Sequence, residues 1–182
     1  VTRHELIPTE EARLYTLPPE PPLIVGAALS PETARWMGGW ADGLITVVGE
    51  RESMQEIVDA FREGGGEGKP LFLQAQLAWA PDERTALDEA YEQWGSVQFP
   101  SRVLSVLRMP EDFAAAGEYT RKEDINKKVR VSSDPEQHLE WLLEDVEMGF
   151  EEINLHSIPR TTQEGFIATF RERVLPELKK AG

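Results

Sequence analysis

The chain has 182 residues, 33 of them acidic and 19 basic, and a net charge of −14. It contains no cysteine, which excludes disulfides, thiolate metal sites and a cysteine nucleophile. So acidic a chain opposes nucleic acid, whose binding demands clustered Lys and Arg. A hydrophobic content of 40% marks a globular protein with a sizeable core.

No apolar run approaches the ~18–20 residues of a membrane span, and no charged-then-apolar leader precedes Val1. A cytoplasmic protein with no membrane partner is therefore expected. The one basic patch, Arg121-Lys122 with Lys127-Lys128-Val129-Arg130, reads as a solvated face.

Residues 1–22 read as an irregular lead-in, because Pro18, Pro19, Pro21 and Pro22 break any helix. An apolar strand over 23–29 then runs straight into Ser30-Pro31-Glu32-Thr33 and an amphipathic helix over 31–41. Ser30 has the character of an N-cap and Pro31 suits the first helical position. That junction aims free N–H groups and the positive helix end above the strand, with the Ser30 and Thr33 hydroxyls beside them. It is either a phosphate cradle or an ordinary capped helix start.

Asp42-Gly43 turns the chain into a strand over 44–48, with Asp42 a structural turn-former. In the helix over 51–63, Met54, Ile57, Val58 and Phe61 fall on one stripe, and Gly64-Gly65-Gly66 ends it. A strand over 71–79 precedes a helix over 82–94. Residues 95–133, with Pro100 and Pro110, read as an insertion holding short helices near 111–116 and 122–128. A helix over 135–148, a strand over 152–158 and a helix over 162–179 close the chain, with Phe166, Phe170, Val174 and Leu178 as a core stripe.

The whole of 1–182 thus reads as one α/β domain: lead-in (1–22), three βα units (23–94), insertion (95–133) and closing helix-strand-helix (134–182). Apolar strands alternating with amphipathic helices signal a parallel sheet. Closing a barrel takes eight strands, so this sheet has two open edges and an uncovered inner face. Each large apolar side chain left wet there forgoes roughly 1.5–3 kcal/mol. The chain is expected to pair with a copy of itself or to be part of a longer protein.

These residues carry a resemblance. The run from Pro22 to Ala34 (PLIVGAALSPETA) and then Trp40-Ala41-Asp42-Gly43-Leu44-Ile45-Thr46 resembles the bacterial luciferase-like flavin monooxygenases and their deazaflavin-dependent relatives. Gly149-Phe150-Glu151-Glu152-Ile153-Asn154-Leu155-His156, followed by Val174-Leu175-Pro176-Glu177-Leu178, is similar to that family's last strand and helix. Residues 10–18, EEARLYTLP, look like its lead-in.

The resemblance implies the C-terminal half, the last four strands, of a (β/α)8 TIM barrel, with a helical insertion before the last βα unit. It implies a flavin-dependent oxidoreductase in which Ala27, Ala28 and Leu29 supply backbone, and Ser30 and Thr33 hydroxyls, to the flavin phosphate. The chain looks most like the branch inferred to use FMN, with the deazaflavin coenzyme as alternative. The partners implied are a small-molecule substrate and either the missing N-terminal half-barrel or a second copy. The competing class is a non-catalytic, dimerising half-barrel with a vestigial flavin site; another phosphate-binding barrel is a weaker third.

Flavin chemistry resides in the cofactor, so no conspicuous triad is required. His156, near the end of the last strand, is the candidate catalytic residue as hydrogen-bond donor, acid or base, against a purely structural histidine. Gln74 and Gln76 share one strand face and, with Trp79, are candidate substrate-pocket residues; an internal amide network is the alternative. Trp36 and Trp40 read as packing, and Arg160, His138 and His4 as surface residues. Three scattered histidines with no matching carboxylate spacing make no metal site.

Overall fold

The computed structural model describes residue 13 and residues 15–181. His4 and residues 10–12 and 14 of the 10–18 lead-in lie outside the described residues.

The elements are β1 (Val25–Ala27), α1 (Pro31–Gly38), β2 (Gly43–Val47), α2 (Arg51–Phe61), β3 (Leu71–Ala78) and α3 (Glu83–Trp94). There follow α4 (Ser101–Leu104), α5 (Pro110–Gly117), β4 (Arg130–Val131), α6 (Pro135–Glu147), β5 (Glu152–Ser157), α7 (Gln163–Thr169) and α8 (Leu175–Ala181). Among the described residues no helix is long and apolar enough to cross a membrane.

All strand pairs are parallel: β1 with β2, β2 with β3, and β3 with β5. The two-residue β4, too short for any sequence pattern to announce, pairs Leu77 and Ala78 at the tip of β3. It lies on the β2 side. Val48 and Ser132 donate to the carbonyls of Gln74 and Ala78, which share a parity, whereas Glu151 and Ile158 donate to Leu71 and Leu77. β4 thus takes over the edge of β3 where β2 stops.

Alternation gives the sheet two unlike faces. Leu44, Leu71, Leu73, Ala75 and Leu77 are buried under helices. Met54, Ile57, Val58 and Phe61 of α2, Leu139 and Leu142 of α6, and Phe166, Phe170 and Val174 of the final helix complete that core. Both expected helical stripes are therefore core-facing. On the opposite face Val25, Ala27 and Val47 are exposed, and Ile45, Phe72 and Gln74 are half-buried. Among the described residues α2, α6 and the final helix pack on that one face, and with strand order following chain order this is the arrangement of βα units in a curling sheet rather than a doubly wound one.

The third βα unit departs from expectation. Ala86 and Ala90 of α3 pack not into the main core but into a second cluster with Ala78, Ile125, Val129 and Val131. The helix that follows β3 thus joins the insertion as a module over the strand tips, and α6 covers the sheet. The final helix runs from α7 to α8 through a widened turn at Phe170–Val174. Pro176 explains it: proline has no N–H to bond the carbonyl four residues back, so the ladder shifts.

Candidate functional site

Ala28 and Leu29 follow β1, and Ser30 caps α1 with extended backbone (φ −145°, ψ 149°). The Thr33 N–H donates to Ser30 Oγ at 3.3 Å, and the Ser30 hydroxyl donates to Thr33 Oγ1 at 3.1 Å. The junction therefore offers less than two free hydroxyls: the Ser30 proton is spent on Thr33, and the Thr33 hydroxyl proton remains to donate outward. Ala27 is on the open face and Leu29 is exposed, while Ala28 is buried on the helix side. Asp42 does more than turn the chain. Its carboxylate accepts the Ile24 N–H at 2.9 Å and its own N–H donates to Ile24 O at 2.8 Å, which clamps the entry to β1.

Beside this junction lies a cavity of about 330 Å³, lined by Leu29, Thr46, Gly49, Ser53, Lys127 and Lys128 among others. Thr46 Oγ1 is buried there without a hydrogen-bond partner. Glu50, the N-cap of α2, makes no side-chain capping bond, so the first-turn N–H groups of α2 also open near it. Lys127 is paired with Asp124 at 2.8 Å, and that bond holds its pKa above the ordinary lysine value. The insertion thus brings cations to the strand tips, a role its sequence pattern did not show.

On the open face, Gln76 and His156 are register partners on β3 and β5, as are Gln74 and Asn154. Gln74 Nε2 lies 3.4 Å from His156 Nδ1. Gln74 donates there when Nδ1 is bare, which leaves the imidazole proton on Nε2. Trp94, at the end of α3, sets its ring edge-on to His156 at 5.4 Å between centroids. Sequence reasoning missed Trp94 because helical periodicity does not show which distant strand a helix end meets. Trp79 does not join this group. It is buried in the helix-side core, with its indole N–H donating to Ser133 O at 3.0 Å, because its position is an odd offset along the chain from both Gln74 and Gln76.

Two further expectations are corrected. His138 is fully buried, with Nε2 3.0 Å from Ser132 O and the rings of Trp141 and Phe170 each 5.3 Å away. Burial holds its pKa below the ordinary histidine value. Arg130 leaves the solvated patch to form a bidentate pair with the fully buried Asp145, at 2.5 and 2.8 Å. Burial pushes the Asp145 carboxyl up, and the guanidinium only partly offsets it. Trp36 and Trp40 pack on each other edge-to-face at 5.1 Å yet remain 65% and 46% exposed. Arg160 is exposed, as expected.

The family model described as luciferase-like monooxygenase matches residues 3–152. The F420-dependent glucose-6-phosphate dehydrogenase of Beutenbergia cavernae is 27% identical over 177 residues, 93% of this chain and 52% of the relative. That of Kribbella flavida is 29% identical, over 96% of this chain and 54% of the relative. The chain spans about half the length of the curated relatives it matches. An F420-dependent secondary alcohol dehydrogenase in complex with an F420-acetone adduct superposes with a TM-score of 0.77 at 19% identity, over 98% of this chain and 56% of that one. The EDTA monooxygenase of Chelativorans sp. BNC1 gives a TM-score of 0.59 at 13% identity, over 99% of this chain and 50% of that one. Fold, open face and family model agree, and the chain belongs to the luciferase-like monooxygenase family.

Proposed function

We propose that this chain is the coenzyme-phosphate half of a flavin- or deazaflavin-dependent oxidoreductase, the last four strands of an eight-stranded barrel. The observation that carries it is the uncovered face. Val25, Ala27, Ile45, Val47 and Phe72 make an apolar floor beside a polar strip, and the capped junction stands at its rim. Such a floor fits a planar heterocycle, which buries its ring faces and keeps donors and acceptors at its edge.

Thr33 Oγ1, the Glu32 N–H and the positive end of α1 would hold the phosphate, with Ala27, Ala28 and Leu29 forming the approach. When bound, the coenzyme supplies hydride transfer. The protein's own part is to orient it, exclude water and place His156 and Gln74 against the reacting partners. The names of the curated relatives favour the deazaflavin coenzyme F420, so FMN, the coenzyme first expected, becomes the alternative. The remaining strands come from an N-terminal half-barrel or a second copy, which would cover the edges of β1 and β5.

The test is fluorescence titration with F420 and with FMN, on this chain alone and mixed with the complementary half of a relative. Ser30→Ala with Thr33→Val should weaken the preferred coenzyme by about 1–3 kcal/mol, the cost of hydrogen bonds to a charged group. Sedimentation should show a dimer or a hetero-complex. An unchanged dissociation constant would rule out the phosphate assignment, and a stable monomer that binds nothing would rule out the half-barrel.

A further inference from the structure

Gln76 is 6% exposed, and its Oε1 is buried without a hydrogen-bond partner. It sits in register with His156, whose ring Trp94 covers edge-on. Gln74, two residues earlier on the same face, is half-buried and already engaged with His156. An amide oxygen held this way destabilises the ligand-free protein, since it lost its water without gaining a donor. An apolar residue of the same size would pack there at less cost. The side chain therefore answers to something that arrives.

We infer that Gln76 is a specificity-determining residue that accepts a hydrogen bond from an N–H or O–H of the bound ligand at the buried end of the open face. Trp94 closes that end above His156. This deepens the functional reading above and rests on it for the kind of ligand that enters. The donor has two possible sources: the ring edge of the coenzyme, or a hydroxyl of the substrate. That end of the face gathers Gln74, Gln76, His156 and Trp94, with no carboxylate, lysine or arginine among them. It therefore suits a neutral donor on an apolar body rather than an anionic group, which belongs at the α1 junction.

The experiment compares wild type with Gln76→Leu and the unbranched Gln76→Met in two measurements. The first is the thermal midpoint without ligand, which should rise in at least one variant; a fall in both means that the amide holds the fold together and overturns the inference. The second is binding of two probes by titration calorimetry. Lumichrome presents a flavin ring with its N–H groups and no phosphate; cyclohexanol presents a hydroxyl on an apolar body. A loss of about three- to tenfold toward lumichrome assigns the donor to the ring, and the same loss toward cyclohexanol alone assigns it to the substrate. Wild type that binds neither probe, or variants that bind both as tightly as wild type, overturn the inference. FMN and F420 titrations keep the two readings apart. Coenzyme binding with neither probe dependent on Gln76 removes only this inference, and no coenzyme binding with a Gln76-dependent probe removes only the coenzyme reading.

Discussion

Replacing Asp145 with leucine removes one member of a pair that ties β4 to α6. Asp145 is fully buried and Arg130 retains only 14% of its side-chain exposure. Arg130 also reaches the Trp141 carbonyl at 3.4 Å. Removing one partner of a buried ion pair costs about 3–5 kcal/mol, because the survivor stays desolvated and unpaired. The residual exposure of Arg130 lets its guanidinium regain some water, which places Asp145→Leu near the lower end, about 3 kcal/mol. For a chain of this size that is a fall of roughly 6–12 °C in midpoint. Arg130→Met combined with Asp145→Leu removes the charges together and should recover most of the loss, because desolvation had already consumed much of the attraction. Urea unfolding of wild type, both single variants and the double variant gives the coupling energy. A single variant that costs less than about 1 kcal/mol, or a double variant as damaged as the worse single one, refutes the reasoning.

His138 must stay neutral in the fold, so the unfolded chain binds its proton first. Stability is complete above the ordinary histidine value of 6.5 and is lost as pH falls from there toward the depressed folded value. The slope in that window is up to about 1.4 kcal/mol per pH unit. Unfolding at pH 7.5, 6.0 and 5.0 should show a shallower slope in His138→Gln, and equal slopes would dismiss burial of the imidazole as its source. At Gly64 an added Cβ would stand 2.0 Å from the Arg35 carbonyl oxygen, where α1 and the end of α2 touch. Gly64→Ala should cost about 3 kcal/mol in urea unfolding, whereas Gly49→Ala, which meets nothing within 4 Å, should stay within about 0.5 kcal/mol. Equal effects would mean that the two helices do not approach as closely as the structure has them.

The regular elements were legible because local chemistry dictates them. Ser30-Pro31 and Asp134-Pro135 start helices by capping and fixed φ, and both capping bonds are present. The stripes Met54-Ile57-Val58-Phe61 and Phe166-Phe170-Val174 have helical spacing, so their burial follows from period alone. The candidate site was half legible. Gln74, Gln76 and His156 fall on one face because strand alternation is strict, and the same rule, applied one step further, would have sent Trp79 to the other side.

What the sequence determined by itself was a parallel α/β sheet with helices between its strands, a serine-capped junction and a family. It also determined the surplus of acid, a net charge of −14. Only the tertiary structure decided that α3 leaves the helix layer to bring Trp94 over His156, that His138 and the Arg130–Asp145 pair lie inside, and that Thr46 and Gln76 are left with unpartnered polar atoms. Those facts depend on contacts between residues far apart in the chain. Periodicity and capping carry no information about distant contacts, because they record only what lies within a turn or a strand.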